Sequence, residues 1–239
     1  MKAITTVYHS VLYLLRIQIG ATADRLNPNP REPTMLYVFL PLAGLVVGLV
    51  SGLAASFLAA MQMRYIPALA GMAIMAILGG KRQTAAALSI RRKDFALNAG
   101  SMLFVVLAVV FLVLGLDALQ TMCGADFITL ALLFLPAIGS LAMVSAASVM
   151  PEAPNQLPLS SVKGLHLILA AGLTLALLMP AFGVSALAYM GVGVLAGSLT
   201  ALIGGRKEYR VDLLYAAAAF AQLIFLFVLL VATNTVIHY

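Results

Sequence analysis

Long apolar runs separated by short polar segments dominate the chain. A helix needs roughly 20 apolar residues to cross the hydrocarbon core of a bilayer, and by this measure the pattern predicts about seven membrane-spanning helices. The predicted spans are Met35 to Ala60, Ile66 to Gly80, Asn98 to Leu116, Phe127 to Val149, Val162 to Met179, Val184 to Ile203 and Leu213 to Ile237. The division between the fifth and sixth spans rests on Pro180 and Gly183, so six spans is the alternative.

The pattern divides the chain into an N-terminal segment, residues 1–34, and one transmembrane domain, residues 35–239. Within the N-terminal segment, apolar Val11, Leu14 and Leu15 are interspersed with His9 and Arg16. This mixture predicts an amphipathic helix lying in the membrane interface on the cytoplasmic side. A buried span is the alternative, and it would place Arg16 in hydrocarbon.

Small residues recur at three- and four-residue spacing within two of the predicted spans. In the first span they are Gly44, Gly48, Ser51, Gly52 and Ala55. In the sixth span they are Gly191, Gly193, Gly197 and Ser198. Such spacing lets helix backbones approach closely in lipid. Close packing is therefore predicted for both faces, with a groove for a ligand as the alternative.

The composition supports an integral membrane protein. The chain is 63% hydrophobic and only 9% charged, whereas soluble domains carry about 25% charged residues. No alternating strand pattern is visible, so the predicted fold is all-α and polytopic. The single Cys123 excludes an internal disulfide. The net charge of +6 indicates cationic loops held against an anionic lipid leaflet rather than nucleic-acid binding.

The positions of the basic residues predict the orientation. With a cytoplasmic N-terminus, seven spans place every one of the fourteen Lys and Arg residues except Arg64 on the cytoplasmic side. This bias is what the positive-inside rule expects. Merging two spans would put Arg206, Lys207 and Arg210 outside. The expected location is a bacterial or archaeal cytoplasmic (inner) membrane, with the C-terminus external.

Residues able to support catalysis are scarce. None of the eight Asp and Glu residues falls inside a predicted span, which argues against a proton-coupled pump. The three His residues lack metal-ligand spacing, and His166 is predicted to be an interface residue near the start of the fifth span. No metal site and no cofactor are predicted from these residues.

Two Gly-Gly steps at predicted helix ends are followed by cations. Backbone N–H groups and nearby positive charge are suited to bind phosphate oxygens. The candidate phosphate-binding residues are Gly79, Gly80, Lys81, Arg82, Arg91, Arg92, Gly204, Gly205 and Arg206. The alternative is that Gly-Gly ends a helix and the cations anchor it at the headgroups.

The order of several short motifs resembles a known enzyme family. These motifs are residues 11–16 (VLYLLR), 40–48 (LPLAGLVVG), Gly79-Gly80, Lys93-Asp94, and Gly204-Gly205 followed by Asp212 and three alanines at 216–218. Together they are similar to the cobalamin synthases, the membrane-embedded adenosylcobinamide-GDP ribazoletransferases. The resemblance extends over nearly the whole chain and implies a polytopic helical fold.

The chain departs from that family at the catalytic motif. The family continues from Gly-Gly through a His to three Asp residues that are thought to hold Mg²⁺ and a diphosphate. Here Arg82 takes the position of the His, and Thr84, Ala87 and Ile90 take those of the carboxylates. Ala and Ile supply no oxygen ligand. Mg²⁺ is therefore expected only if the family's activity is retained.

Three functions follow as expectations. The first is a catalytically impaired relative that serves as a membrane subunit or anchor, binding a protein partner, a corrinoid or a nucleotide through its basic cytoplasmic loops. The second is an active transferase that joins a GDP-activated corrinoid to α-ribazole or its phosphate, with Asp94, Asp212 and Glu208 as candidate catalytic residues. The third is a small transporter of a neutral substrate. Membrane lipid is a partner in each case.

Overall fold

The computed structural model describes residues 34–61, 63–79, 99–151, 159, 162–204 and 211–237. Over these ranges the protein is helical and contains no β-strand. The α-helices are α1 (Leu40–Ala59), α2 (Ile66–Gly79), α3 (Ala99–Cys123), α4 (Ala125–Val149), α5 (Gly164–Phe182), α6 (Ala186–Gly204) and α7 (Val211–Ile237). Short 3₁₀ helices at Thr34–Phe39 and Gly183–Ser185 precede α1 and α6.

Five helical segments of the described chain are long and apolar enough to cross a membrane. They are Tyr37–Ala59, Val106–Cys123, Ala125–Val149, Gly164–Gly204 and Leu213–Asn234. The fourth segment contains both α5 and α6, and α2 is a shorter apolar helix. Large apolar side chains such as Phe57, Ile168 and Ile203 point away from the core and are exposed. The all-helical fold predicted from the sequence is confirmed at this level, and it is compatible with a multi-pass membrane protein.

Two glycines with positive φ separate consecutive helices. Gly183, with φ of +55°, ends α5, and α6 begins three residues later. The predicted division is therefore found at Gly183, but Pro180 lies inside α5, and the helix continues past the predicted end at Met179 to Phe182. Gly124, with φ of +91°, is the single residue between α3 and α4. Glycine adopts such a conformation without the steric penalty of a Cβ atom. The predicted end of the third span at Leu116 is wrong, because the helix continues to Cys123.

Helix α4 is the centre of the bundle. It packs against each of the other described α-helices. Of its most apolar stretch, 78% is buried inside the protein, against 17% for the segment that holds α5 and α6. Every residue from Phe134 to Ala147 is buried, so this part of α4 is covered on all sides. A helix that is apolar all round is the kind expected at such a central position.

The glycine face of α1 lies directly on the backbone of α4. A Cβ atom added at Gly44 would meet the carbonyl oxygen of Pro136, and one added at Gly52 would lie 3.0 Å from that of Thr129. Gly48, between them, is packed just as closely. Because the α1 numbers rise as the α4 numbers fall, the two helices are antiparallel. The packing predicted for the first small-residue face is confirmed.

Pro136 gives this contact a specific chemistry. Proline has no N–H, so the carbonyl of Leu132 loses its usual partner within α4. The backbone of Gly48 abuts this carbonyl and that of Leu133. Cα–H groups that approach carbonyl oxygens closely form weak hydrogen bonds, each worth about 0.5–1 kcal/mol. The close approach of α1 therefore also places weak hydrogen-bond donors beside an oxygen whose usual helical donor is missing.

The opposite side of α4 receives a second small-residue face, from α6. A Cβ atom at Gly193 would lie 3.3 Å from the carbonyl oxygen of Ile138, and one at Gly197 would collide with Ala142. The hydroxyl of Ser145 donates to the carbonyl of Val194 (2.7 Å). It also bonds the hydroxyl of Ser198 (2.9 Å). The numbers rise together, so α6 runs parallel to α4.

Gly191 does not belong to this interface, although the sequence grouped it with the others. An added Cβ atom there would have nothing within 4 Å. The spacing of small residues correctly indicated a contact face but did not show which glycine lies outside it. The ligand-groove interpretation is not needed for Gly193 or Gly197, because the backbone of α4 fills the space beside them.

Four aromatic rings tie α5 and α7 to this core. Phe182, at the end of α5, makes edge-to-face contacts with Phe134, Tyr189 and Phe225, with centroid separations of 5.3, 4.9 and 6.4 Å. Tyr189 and Phe225 also contact each other at 5.2 Å. Such pairs add about 0.5–1.5 kcal/mol beyond their burial. The cluster joins α4, α5, α6 and α7 at one level of the bundle.

Gly197 and Gly191, both in α6, provide a matched test of the packing. We expect Gly197→Ala to destabilise the protein by about 1–3 kcal/mol, because the new methyl group overpacks the contact with α4. Gly191→Ala makes the same change in open space, and Ala is the better helix former by about 1 kcal/mol. It should leave stability unchanged or raise it. Thermal unfolding midpoints in a mild detergent measure both effects, and equal midpoints for the two variants would contradict the packing described.

Candidate functional site

The sequence-predicted site residues fall mostly outside the described ranges. Gly79 is the last residue of α2, Gly204 is the last residue of α6, and Asp212 is the second residue of α7. The others lie outside the described residues, and the structure leaves their predicted roles untested. These are Gly80, Lys81, Arg82, Arg91, Arg92, Asp94, Gly205, Arg206 and Glu208.

The helices that precede the two basic segments end at the same end of the bundle. Helix α1 is antiparallel to α4, and it forms a hairpin with α2 in which Gly71 packs near Ala55. Helices α2, α4 and α6 therefore point the same way. We call the end that contains Gly79, Val149 and Gly204 the basic end, since the Lys/Arg-rich segments follow Gly79 and Gly204 in the sequence. Helices α5 and α7 begin there.

A buried histidine lies at the start of α5, at the basic end. His166 is 7% exposed. Its Nδ1 accepts a hydrogen bond from the backbone N–H of Lys163 (3.0 Å), the residue just before the helix. Its Nε2 is buried and has no hydrogen-bond partner among the described residues. His166 thus lies near the start of the helix, as expected, and only one side of its ring is bonded within the described fold.

The opposite end of the bundle carries a charged cluster that the sequence did not predict. Asp117 in α3 is 6% exposed. Its Oδ1 accepts a hydrogen bond from the backbone N–H of Tyr65 (3.2 Å), and its Oδ2 lies 3.9 Å from Nε of Arg64. The guanidinium of Arg64 also stacks over the ring of Tyr65, at 4.8 Å from the centroid. The cluster fastens the α1–α2 connection to α3.

Asp117 corrects an expectation from the sequence. No carboxylate was expected inside a span, because the third span was predicted to end at Leu116. The helix continues to Cys123, and Asp117 lies within an apolar segment that is long enough to cross a membrane. The carboxylate is tolerated there because the Tyr65 N–H and Arg64 offset part of its desolvation. No sequence periodicity indicates this, since both partners come from a loop distant along the chain.

Tyr65 adopts an unusual backbone conformation at this cluster. Its φ is +61°, which is uncommon for a residue other than glycine. The conformation turns its N–H towards Asp117, and the bond that results helps to hold it. Arg64 contributes less, because its side chain is 70% exposed and exposed ion pairs are typically worth about 0–1 kcal/mol.

Two amide side chains have buried atoms without partners among the described residues. Nε2 of Gln222, in α7, lies beside Gly139 of α4, where an added Cβ atom would be 2.7 Å away. Oε1 of Gln120, one turn beyond Asp117 in α3, is the other such atom. Gly139 therefore accommodates the amide of Gln222 at the α4–α7 contact. Neither glutamine stands out in the sequence.

The described residues contain no group of three or more His, Cys, Asp or Glu side chains that could hold a metal ion. Asp94 and Glu208 lie outside those residues, so the candidate catalytic set is not tested. The chain matches no known protein family, no curated protein and no solved structure. The resemblance to cobalamin synthases therefore rests on the sequence motifs alone and remains a hypothesis.

The cluster at Asp117 predicts a graded loss of stability. We expect Asp117→Ala to lower the free energy of unfolding by about 1–3 kcal/mol, because the partly buried Tyr65 N–H loses its acceptor. Asp117→Asn keeps an acceptor oxygen and should have a smaller effect. Arg64→Gln should change stability by less than about 1 kcal/mol. Thermal unfolding in detergent measures the series, and a larger effect for Arg64→Gln than for Asp117→Ala would contradict this geometry.

Proposed function

We propose that the protein is a membrane subunit or anchor that binds an anionic partner or ligand through the basic end of its bundle. The observation that carries the proposal is the shared end of α2 and α6, since both basic segments follow these helices. Nine Lys and Arg residues stand at 81–93, at Lys163 and at 206–210. A concentration of one charge sign favours a partner of opposite charge.

Seven spans and a cytoplasmic N-terminus form part of the same proposal. The parallel course of α4 and α6 supports it, since α5 between them must return across the bundle. Gly164–Gly204, at 41 residues, is about twice the length that one crossing needs. With this arrangement the basic end faces the cytoplasm, and Arg64 lies at the other surface.

The orientation can be tested with Cys123, the one cysteine of the chain. Cys123 is partly exposed at the end of α3, so we expect a membrane-impermeant maleimide to label it in intact cells. A Cys123→Ser, Gln83→Cys variant moves the thiol to the basic segment after α2 and should be labelled only after the cells are permeabilised. The reverse pattern would reject a cytoplasmic N-terminus.

The binding role predicts a complex that depends on the basic residues. We expect wild-type protein purified in mild detergent to exceed the mass of its 25.1 kDa chain after the bound detergent is subtracted, and the complex to dissociate as salt rises, because salt screens exposed charges. Replacing Lys81, Arg82, Arg91 and Arg92 with Gln should abolish it. Arg64→Gln, at the opposite end, serves as the control. A wild-type protein that is monodisperse and monomeric, without bound ligand by mass spectrometry, would contradict the proposal.

An active transferase is the second candidate, supported by the order of the sequence motifs. In this case Asp94, Asp212 and Glu208 would replace the carboxylates that the family's motif supplies, and Lys or Arg side chains would stabilise the diphosphate charge. Mg²⁺-dependent formation of cobalamin by the purified protein tests it. Asp94→Ala should then lower the rate at least about tenfold, and an unchanged rate would remove Asp94 from the mechanism.

A further inference from the structure

One nitrogen of the buried imidazole of His166 has no hydrogen-bond partner among the described residues. Nδ1 accepts the N–H of Lys163, so in the neutral ring the hydrogen is on Nε2. Nε2 is therefore a donor, and it is buried without an acceptor among the described residues. Leaving a buried donor unpaired is unfavourable, and His166 is more than nine-tenths buried. The first turn of α5 thus holds a donor that a ligand oxygen would satisfy.

The start of α5 presents hydrogen-bond donors and a positive charge. The first turn contains no acidic residue. The backbone N–H groups of Gly164 and Leu165 are the first two of the helix, which have no acceptor within it. Lys163, just before the helix, is exposed. The positive end of the α5 dipole adds to their effect. An oxygen that carries negative charge is the kind of ligand that this arrangement fits.

The position of the start of α5 along the bundle further limits the chemical class of the ligand. Helix α5 begins at the basic end and packs against the 3₁₀ helix at Thr34–Phe39, which precedes α1. This is the level at which an apolar span passes into the headgroup region of a bilayer. Phosphate groups, on phospholipids or on soluble phosphate compounds, reach this level from the aqueous side. A helix start with an additional side-chain donor is a common arrangement for binding them.

We propose that Nε2 of His166 donates a hydrogen bond to a phosphate group bound at the basic end, beside the start of α5. The inference rests on the proposed function, because it names the chemical class of the anionic ligand. The same phosphate chemistry occurs in a phospholipid headgroup and in a free diphosphate. His166 acts here as a binding residue, with Nδ1 fixing the ring and Nε2 contacting the ligand.

Two isosteric variants separate binding from a structural role of the ring. The amide oxygen of Asn can take the place of Nδ1, so His166→Asn keeps the acceptor for the Lys163 N–H and removes the donor at Nε2. The amide nitrogen of Gln can take the place of Nε2, so His166→Gln keeps the donor and removes the acceptor. If His166 has only a structural role, His166→Gln alone should lower the thermal stability of the protein, because it lacks the acceptor for the Lys163 N–H. A phosphate-binding histidine predicts that only His166→Asn loses the ligand.

The experiment measures ligand-induced thermal stabilisation of the full-length protein in a neutral detergent. Inorganic diphosphate is titrated in one arm and dioctanoyl phosphatidic acid in the other, because a ligand that binds the folded state raises the unfolding midpoint. We expect the wild type and His166→Gln to be stabilised by one of the two probes. His166→Asn should bind that probe at least about tenfold more weakly, the typical effect of losing a hydrogen bond to a charged group. Stabilisation by diphosphate indicates a soluble phosphate compound, and stabilisation by the lipid alone indicates a headgroup.

The outcomes distinguish this inference from the function on which it rests. If neither probe stabilises the wild type, the phosphate inference is overturned. If a probe binds the wild type but His166→Asn binds it equally well, His166 is not the donor. If replacing Lys81, Arg82, Arg91 and Arg92 with Gln leaves binding intact while His166→Asn abolishes it, the role of the basic segments is rejected and the site at α5 is retained.

A spectroscopic measurement on the intact ring covers the case in which His166→Asn does not fold. Replacing His9 and His238 with Asn leaves His166 as the single histidine of the chain. With ¹⁵N-labelled histidine, addition of the stabilising probe should shift the Nε2 resonance and leave Nδ1, which stays bonded to Lys163, nearly unchanged. An Nε2 resonance that does not move at saturating probe would overturn the proposal.

Discussion

The close approach of two glycine faces to the backbone of α4 is the constraint on which the rest of the fold depends. Lipid supplies no hydrophobic drive for helices to associate, so close packing and polar contacts must hold them together. Helix α1 brings Gly44, Gly48 and Gly52 onto one side of α4, and α6 brings Gly193 and Gly197 onto another. The Ser145 hydroxyl adds interhelical hydrogen bonds, each worth about 0.6 kcal/mol in such settings. With α4 held on two sides, α7 and the aromatic cluster complete the bundle.

The close packing of α1 and α6 against α4 also accounts for the positions of the polar groups. The interior around α4 has no space for charged side chains, and the charged residues that the structure describes stand towards the helix ends. Asp117 and Arg64 join the α1–α2 connection to α3 at one end, and Lys163 and His166 lie at the other. Under the proposed function, stability and binding are thereby separated along the bundle. The middle holds the helices together, and the basic end would receive the ligand or partner.

The apolar pattern predicted the fold more successfully than the site. Five helices begin and end within a few residues of the predicted spans, namely α2, α4, α5, α6 and α7. A long apolar run that is bounded by Gly or by charged residues leaves few other positions for the ends of a helix. The predicted end of α3 was wrong, because a carboxylate such as Asp117 usually marks the end of a membrane span. Its hydrogen bond with the Tyr65 N–H, which stabilises it inside the helix, is not visible in the sequence. Gly191 was misassigned because spacing does not show which face has a neighbour. The buried Nε2 of His166 depends on three-dimensional packing, which no local pattern records.

The shortness of α2 has a consequence for the lipid around the protein. Its 14 residues span about 21 Å at 1.5 Å per residue, and Arg64 before it and Lys81 after it prevent a longer apolar stretch. The hydrocarbon core is about 30 Å thick, and Leu69 and Ile77 present the outer side of α2 to the surroundings. In the proposed seven-span arrangement, a bilayer that contacts this side has to thin locally or tilt its acyl chains. That arrangement therefore makes the protein sensitive to acyl-chain length, and membranes of different thickness favour it unequally.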